Sequence, residues 1–272
     1  MTTTLITGAN KGLGFETARR LIQAGHTVYV GARDADRGAD AAARLGTGAR
    51  FVPLDVTDDD SVKAAAEFVR ADTDCLDRLV NNAAIVGAGK RGRVGDVTGA
   101  DMMTTFDTNV FGVVRVTHAF LPLLEASDAP VAVDVGSGLG SLGATGDPSR
   151  VEYHSTLLDY NSAKAALVMV TAQYAKAFPA IRFNAVDPGY TATDLNGRQG
   201  TQTWSRARRS SSAWPASAQM ARPAASSTRP DQSSGNDCVS PVQRAVDVRW
   251  RRPSTKMWIM RSLNSWFSPG TG

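Results

Sequence analysis

LITGANKGLGFETARRLIQAG, residues 5–25, runs from a strand-like segment through a glycine loop into a helix-like segment. Residues 5–7 form a short apolar run, which favours a β-strand. After the loop, Leu13, Ala18 and Leu21 recur at the spacing that places side chains on one face of an α-helix. The stretch therefore predicts a strand joined to a helix by a glycine-rich turn, which is the first half of a βαβ unit.

The same alternation continues outward from this stretch to about residue 195. Six segments are strand-like: 5–7, 26–33, 49–56, 76–84, 129–138 and 180–189. Five helix-like segments separate them: 12–25, 39–46, 58–71, 97–126 and 159–178. Because strands that alternate with helices pair in parallel, the sequence predicts an α/β fold. We expect a single Rossmann-type, doubly wound parallel sheet with helices on both faces.

The loop TGANKGLG, residues 7–14, lies where a sheet of this kind binds ligands. In open parallel sheets, ligands bind beyond the carboxyl ends of the strands. Gly8, Gly12 and Gly14 allow the backbone to approach a phosphate, and the N-terminus of the following helix supplies N–H donors. Taken alone, a glycine triplet fits a tight structural turn as well as a cofactor loop.

Further motifs follow the other strands in order. They are Asp55-Val56 after the third strand, NNAA (81–84) after the fourth, Asn109 in the long helical segment, Ser137 after the fifth strand, Tyr160-Asn-Ser-Ala-Lys164, and Asp187-Pro188-Gly189 with Thr191 and Thr193 after the sixth. Together with T-G-x-x-x-G-x-G at 7–14, this set resembles the short-chain dehydrogenase/reductase family. The resemblance covers residues 3 to about 203, with NNAA standing where the family has N-N-A-G.

The resemblance implies four catalytic residues, Asn109, Ser137, Tyr160 and Lys164. Tyr160 would protonate the carbonyl oxygen, and Ser137 would hydrogen-bond the substrate oxygen. Lys164 would hold the nicotinamide ribose, and Asn109 would anchor a water that feeds protons toward it. The chemistry fits, because residues four apart share a helix face and a neighbouring ammonium lowers the pKa of a tyrosine from about 10. Taken singly, each residue has an ordinary structural interpretation, and only the ordered set favours catalysis.

The resemblance also implies a nicotinamide cofactor. Family members that prefer NAD carry an acid at the end of the second strand, where this chain has Gly31-Ala32-Arg33. Arg33 and Lys11 can meet a 2′-phosphate, and Asp34 is expected to cap the next helix, so we predict NADP(H). The predicted cofactor-binding residues are Thr7, Gly8, Asn10, Lys11, Gly12, Leu13, Gly14, Arg33, Asp55, Val56, Asn82, Ala83, Ala84, Asn109, Tyr160, Lys164, Pro188, Gly189, Thr191 and Thr193.

The segment between Ser137 and Tyr160 is longer than is usual in the family. This length resembles the carbonyl-reductase-like branch, in which the insertion lies near the surface that relatives use to form tetramers, so a monomer is slightly favoured. Tyr153 also lies in this segment, but Leu157 rather than a lysine follows it by four residues. The implied function is NADPH-dependent reduction of a ketone, aldehyde or quinone, or the reverse oxidation of an alcohol.

Other classes of function find little support in the sequence. His26, His118 and His154 lack the spacing of metal ligands, so no metal site is predicted. The two cysteines form no disulfide framework. The N-terminus does not read as a signal peptide, and no apolar run is long enough to span a membrane. We expect a cytoplasmic enzyme of small carbonyl or alcohol substrates, with no nucleic-acid or membrane partner.

Charge divides the chain into two parts. Residues 1–195 carry a net charge of −5, whereas residues 196–272 carry +9 and hold all five tryptophans. We therefore expect an NADP-binding catalytic domain over 1–203 and an irregular or disordered basic tail, rich in Arg, Ser and Trp, over 204–272. The tail has three interpretations: a segment that binds nucleic acid or an acidic membrane, a disordered linker, or a segment read out of frame.

A shift of one base would account for the tail's composition. When the last base of each codon is grouped with the next two, WSRARRSSSAWP (204–215) can encode VEQGAEIIVRMA, an amphipathic helix. Residues 217–229, SAQMARPAASSTR, can encode LGPDGPTGGFFDA, whose Gly-Gly-aromatic element resembles the end of the family's seventh strand. Our hypothesis is that the last helix and strand are read out of frame, so that the seventh strand is lost. The product would then be impaired or misfolded and retain at most nucleotide binding.

Overall fold

In the computed structural model, which describes residues 1–87, 93–192, 197–198 and 200, six parallel strands form one sheet in the order β3-β2-β1-β4-β5-β6. The strands are β1 (Thr3–Thr7), β2 (Thr27–Ala32), β3 (Ala49–Pro53), β4 (Arg78–Asn81), β5 (Val131–Val135) and β6 (Arg182–Val186). The helices are α1 (Gly12–Gln23), α2 (Ala35–Leu45), α3 (Asp59–Asp72), α4 (Gly99–Phe106), α5 (Gly112–Glu125), α6 (Leu142–Thr145) and α7 (Leu158–Ala177). The predicted Rossmann-type fold is confirmed.

Apolar side chains cover both faces of the sheet. On one face, Ala18 of α1 and Ala41 of α2 pack with Val28 and Val30 of β2. On the other face, α3 and α5 cover the sheet, and Phe120 of α5 is fully buried there. Alternate residues of a strand point to opposite faces, so a strand between two helix layers must be apolar along its whole length. This explains why the strand-like segments read as continuous apolar runs.

The starts of three helices follow signals in the sequence, although α2 begins at Ala35, four residues before the predicted segment 39–46. Asp34 caps α2 by accepting a hydrogen bond from the Arg37 N–H at 3.0 Å. Asp58 caps α3 in the same way, and acidic residues follow it in the first turn, where the helix dipole favours negative charge. α1 begins at Gly12, directly after the glycine loop. The role of Asp34 as a helix cap rather than a cofactor ligand agrees with this geometry.

The long helical segment predicted over 97–126 is not one continuous helix. A five-residue π-helical turn, Asp107–Phe111, separates α4 from α5. Such turns are rare and often occur at functional sites, because they rotate the side chains that follow. The turn contains Asn109, whose side chain is fully buried. Helical structure over this range was predicted correctly. The periodicity of the apolar residues does not reveal the π-helical turn, which has about one residue more per turn than an α-helix.

β6 forms the edge of the sheet within the described residues. It pairs only with β5 there, and its last four residues are half-buried, whereas four of the five residues of β5 are buried. The predicted loss of a seventh strand and the predicted irregular tail concern residues that lie outside the described part, as does Thr193. Among the described residues, no helix is long and apolar enough to cross a membrane.

Candidate functional site

The glycine loop closes against the end of β4. Gly8 has φ +63°, a left-handed conformation that favours glycine, and a Cβ there would lie 3.0 Å from the Ala83 Cα. A Cβ on Gly14 would lie 2.6 Å from the Asn82 side-chain nitrogen, so only glycine fits. Gly12 also has a positive φ, but nothing lies within 4 Å of the position of its Cβ. The first turn of α1 therefore stays open on that side, as a phosphate-binding loop requires.

Thr7 and Asn82, both predicted to bind the cofactor, hold this loop in place. The Thr7 hydroxyl accepts hydrogen bonds from the backbone N–H groups of Asn82 at 3.0 Å and Ala83 at 2.9 Å. The Asn82 side chain donates to the carbonyl oxygens of Thr7 at 2.9 Å and Gly8 at 3.1 Å. These four hydrogen bonds join the glycine loop to the end of β4. Thr7 and Asn82 therefore position the loop.

The other predicted cofactor residues line the same edge of the sheet. Asp55 follows β3, and its carboxylate accepts hydrogen bonds from the Thr57 N–H at 2.9 Å and hydroxyl at 2.7 Å. Val56 is buried beside Gly112, where a Cβ would approach Val56 Cγ2 to 2.8 Å. Asn10, Leu13 and Ala84 are partly exposed near the strand ends, and Lys11 and Arg33 are exposed. Two exposed cations beside an open glycine loop fit the extra phosphate of NADP(H).

The segment after β6 turns back over the site. Gly189 has φ +71°, and its N–H donates to the Asp187 carboxylate at 2.9 Å. The Thr191 hydroxyl donates to the Pro188 carbonyl at 3.2 Å, and Thr191 is buried. The predicted Asp-Pro-Gly motif therefore forms a tight turn at the carboxyl end of β6.

Asn109 bridges the π-helical turn and the segment after β4. Its side-chain nitrogen donates to the Ile85 carbonyl at 2.8 Å, and its side-chain oxygen accepts from the Ile85 N–H at 2.9 Å. This pair of bonds fixes the segment that follows the NNAA motif. The Asn109 side chain therefore anchors the backbone, and a role in holding a water stays a prediction.

Tyr160 and Lys164 lie one turn apart on the buried face of α7. The Lys164 ammonium lies 5.6 Å from the centre of the Tyr160 ring and donates to the Val135 carbonyl at 2.7 Å. Burial lowers the pKa of Lys164 to about 8, against an opposing effect of the Asp134 charge. Lys164 is thus a nearly inaccessible amine tied to the end of β5.

Ser137 brings the end of β5 to the same place. The nearby Ser137 hydroxyl lowers the pKa of the Tyr160 phenol, but burial outweighs this effect and raises the pKa to about 12. The sequence-based expectation that the lysine ammonium lowers this pKa is therefore not met, because Lys164 directs its hydrogen bond to Val135 instead. At neutral pH Tyr160 is fully protonated and can donate a proton.

Asp134, on β5, was not predicted as part of the site. It is buried and accepts hydrogen bonds from the Asn81 side chain at 2.8 Å and the Thr171 hydroxyl at 2.7 Å. Burial raises the pKa of this carboxyl. Thr171 lies two turns after Lys164 on α7, so both residues attach this helix to β5. An acid inside an otherwise apolar strand was the signal available in the sequence.

Asp187 and Glu152 were also not predicted from the sequence as site residues. A Cβ on Gly138, the residue after Ser137, would lie 2.9 Å from a Glu152 carboxylate oxygen and 3.1 Å from one of Asp187. Burial raises the pKa of Asp187, and the charge of Glu152 raises it further. The acid was visible in the Asp-Pro-Gly motif, but nothing in the sequence placed Glu152 beside it.

A surface groove lies away from Ser137, Tyr160 and Lys164. A groove of about 490 Å³ opens between α3 and α5, lined by residues such as Val62, Arg70 and His118. It contains neither Ser137 nor Tyr160, and its charged walls belong to the outer surfaces of two helices. We assign the chemistry to the edge of the sheet, where the buried tyrosine and lysine meet.

Comparisons with known proteins agree with this geometry. The sequence profile of the short chain dehydrogenase family matches residues 2–204. The chain is 36% identical over 212 residues to the short-chain dehydrogenase anuI of Penicillium roqueforti, covering 73% of this chain and 82% of that protein. It is 33% identical over 251 residues to (+)-neomenthol dehydrogenase of Arabidopsis thaliana, covering 72% and 85%. The NADPH-bound carbonyl reductase from chicken fatty liver superposes with a TM-score of 0.65 at 28% identity, covering 72% and 82%.

Proposed function

The chain belongs to the short-chain dehydrogenase family of oxidoreductases, and from that premise we propose that it reduces a ketone, aldehyde or quinone to the alcohol with NADPH. The observation that best supports the proposal is that Ser137, Tyr160 and Lys164 lie close together at the carboxyl end of β5. The name of the solved carbonyl reductase supports the same direction of reaction. The reverse oxidation uses the same residues and is included in the proposal.

Tyr160 acts as the general acid. Its pKa of about 12 keeps the phenol protonated at neutral pH, and the alkoxide formed when a carbonyl is reduced is a far stronger base. The Ser137 hydroxyl, which lies near Tyr160 at the end of β5, would bind the same substrate oxygen. Both hydroxyl groups would then contact the atom on which negative charge develops, which lowers the barrier.

Lys164 assists the reaction by its position. Its ammonium lies 5.6 Å from the centre of the Tyr160 ring and is directed to the Val135 carbonyl, so it would act by holding the nicotinamide ribose and not by lowering the pKa of Tyr160. Because its pKa is about 8, it stays largely protonated at neutral pH. Asn109 positions the segment after β4 beside it and does not contact the substrate in this proposal.

The bound cofactor supplies the hydride. Thr7, Asn82 and the three glycines would shape its binding loop, and Lys11 and Arg33 would bind the phosphate that distinguishes NADP from NAD. The exposure of Lys11 and Arg33, and the absence of an acid at positions 31 and 32, support NADP(H) as the cofactor. Small carbonyl or alcohol compounds are the proposed partners, in a catalytic domain over 1–203.

The experiment that tests this function is an assay of NADPH oxidation with a panel of ketones, aldehydes and quinones. The Tyr160→Phe variant removes only the proton donor, so it should bind NADPH like the wild type, by fluorescence titration, while kcat falls at least about a hundred-fold. Equal kcat for the two proteins would contradict the role of Tyr160. Absence of oxidation with every carbonyl would contradict the proposed reaction.

A specific observation favours the second candidate, an impaired product of a shifted reading frame. The family match ends at residue 204, where the composition changes and the regrouped codons regain a family-like sequence. The half-buried edge strand β6 supports the same idea. Nucleotide sequencing across codons 195–240 tests it directly: codons that regroup as proposed support the shift, and codons that cannot do so contradict it.

A further inference from the structure

The carboxyl group of Asp187 lies at the catalytic edge without a role in the reaction proposed above. It follows β6 directly and accepts a hydrogen bond from the Gly189 N–H at 2.9 Å, and a Cβ on Gly138 would lie 3.1 Å from one of its oxygens. Gly138 is the residue after Ser137, so this carboxyl lies next to the group that would bind the substrate oxygen. Its charge reaches the phenol, because it raises the pKa of Tyr160.

Glu152 approaches the same point from the long segment between Ser137 and Tyr160. A short helical turn, Val151–His154, places its carboxylate beside Gly138, opposite Asp187. Arg150 forms a two-pronged ion pair with this carboxylate, with N–O distances of 2.7 Å and 3.0 Å. The charge of Glu152 is therefore balanced by Arg150, and its carboxylate lies beside Gly138, the residue after Ser137.

The charges around the reacting hydroxyls do not cancel. Lys164 is buried behind Tyr160 and directs its ammonium to the Val135 carbonyl, away from Gly138. Arg150 is paired with Glu152, and its charge also interacts with Asp147 and Asp187, where it partly offsets the acids. Asp159, next to Tyr160, is buried and accepts a hydrogen bond from Thr105 at 2.6 Å. The surroundings of Ser137 and Tyr160 thus carry an excess of acids.

We propose that Asp187, reinforced by Glu152, is a specificity-determining residue that excludes anionic carbonyl compounds and admits neutral and cationic ones. The proposal rests on the proposed carbonyl reduction and names the class of its substrates. A substrate that carries a carboxylate must bring it near Asp187, in a partly buried site where charges are weakly screened. Like charges at such range oppose binding, and an ammonium in the same place is attracted.

Three matched aryl ketones test the charge dependence. They are para-acetylbenzoate, its neutral methyl ester, and para-acetylphenyltrimethylammonium, which share one ketone and differ in the remote group. For the wild type, kcat/KM for the ester should exceed that for the carboxylate by about ten-fold, as expected of unit charges several ångströms apart in a protein. The trimethylammonium compound should react at least as well as the ester.

Two variants locate the effect. Asp187→Asn should reduce the ester-to-carboxylate ratio by about ten-fold, toward unity. Glu152→Gln releases Arg150 from its ion pair and should also lower the ester-to-carboxylate ratio. If Asp187→Asn fails to fold, Glu152→Gln provides the test. Asp128→Asn and Glu125→Gln remove exposed charges at the opposite edge of the sheet and should leave the ratio as in the wild type.

The outcomes separate this inference from the proposed function. If the ketones are reduced but the wild-type ester-to-carboxylate ratio is near unity, the inference is wrong. The same holds if neither Asp187→Asn nor Glu152→Gln changes that ratio. In both cases the proposed carbonyl reduction still stands. If the protein binds NADPH but reduces none of the three ketones nor any member of the carbonyl panel, the proposed function is wrong, and the inference falls with it.

Discussion

Replacement of Lys164 by methionine should stabilise the protein at neutral pH although it removes a catalytic group. Lys164 is 2% exposed, and burial lowers its pKa from 10.5 to about 8. In the folded state the ammonium is therefore less favourable than in the unfolded chain. Methionine has a similar length, carries no charge and fits an apolar environment.

The size of the effect follows from the shift in pKa. Between about pH 8 and 10.5 the unfolded state binds more protons at Lys164 than the folded state, so stability rises with pH in this window. At pH 7 the cost is about 3 kcal/mol, and by pH 10 only about 1 kcal/mol of it remains. The stability of Lys164→Met relative to the wild type should therefore fall by about 2 kcal/mol from pH 7 to pH 10. Loss of the bond to Val135 subtracts a further constant of about 1 kcal/mol at both pH values.

Urea unfolding of both proteins at pH 7 and pH 10, followed by far-ultraviolet circular dichroism, measures this difference. Circular dichroism is preferred because it reports on the described helices, whereas all five tryptophans lie after residue 203, outside the described residues. Groups that do not interact with Lys164 titrate equally in the two proteins and cancel, whereas Asp134 does not, because the Lys164 charge lowers its pKa. A relative stability that is the same at both pH values, or that rises with pH, would refute the assignment of Lys164 as a desolvated amine.

Three more outcomes are expected. Arg33→Ala should raise KM for NADPH about ten-fold with little change for NADH, in steady-state assays with both cofactors, because it removes a charge-assisted bond to the 2′-phosphate. Asp134→Asn should move the basic limb of the kcat/KM profile to lower pH, since the Asp134 charge raises the pKa of Lys164, whereas Thr171→Val keeps that charge and should not move it. Gly14→Ala should lower the free energy of unfolding by about 1–3 kcal/mol in urea titrations and weaken NADPH binding, because its Cβ would lie 2.7 Å from the Gly8 carbonyl oxygen.

The fold could be predicted because its signals are local. Each strand is a short run rich in apolar residues, and α1 follows the glycine loop. Asp34 caps α2 as predicted, and α3 begins at Asp59, one residue after the start of the predicted segment 58–71. The motifs at the strand ends then meet at one edge, since parallel strands all end on the same side. Ser137 and Tyr160 come together for this reason, although 22 residues separate them.

The properties of individual site residues were harder to predict, because they depend on packing between elements distant in sequence. The sequence correctly placed Tyr160 and Lys164 on one face, but the bond of Lys164 to Val135 and the burial that raises the pKa of Tyr160 arise from β5 and its neighbours. The π-helical turn at Asn109 has no periodic signature. Asp187 was visible as a motif residue, yet its charge matters only because its carboxyl is packed beside Gly138.

The central claim, that Tyr160 protonates a carbonyl reduced by hydride from NADPH, is tested most directly by isotope transfer. NADPH deuterated at both positions of the reactive nicotinamide carbon is incubated with a reducible ketone, and the alcohol is analysed by mass spectrometry. The account predicts one deuterium on the carbinol carbon with the wild-type protein, and almost no alcohol with Tyr160→Phe although the variant binds NADPH. An alcohol without deuterium, or deuterated alcohol formed equally fast by the variant, would contradict it.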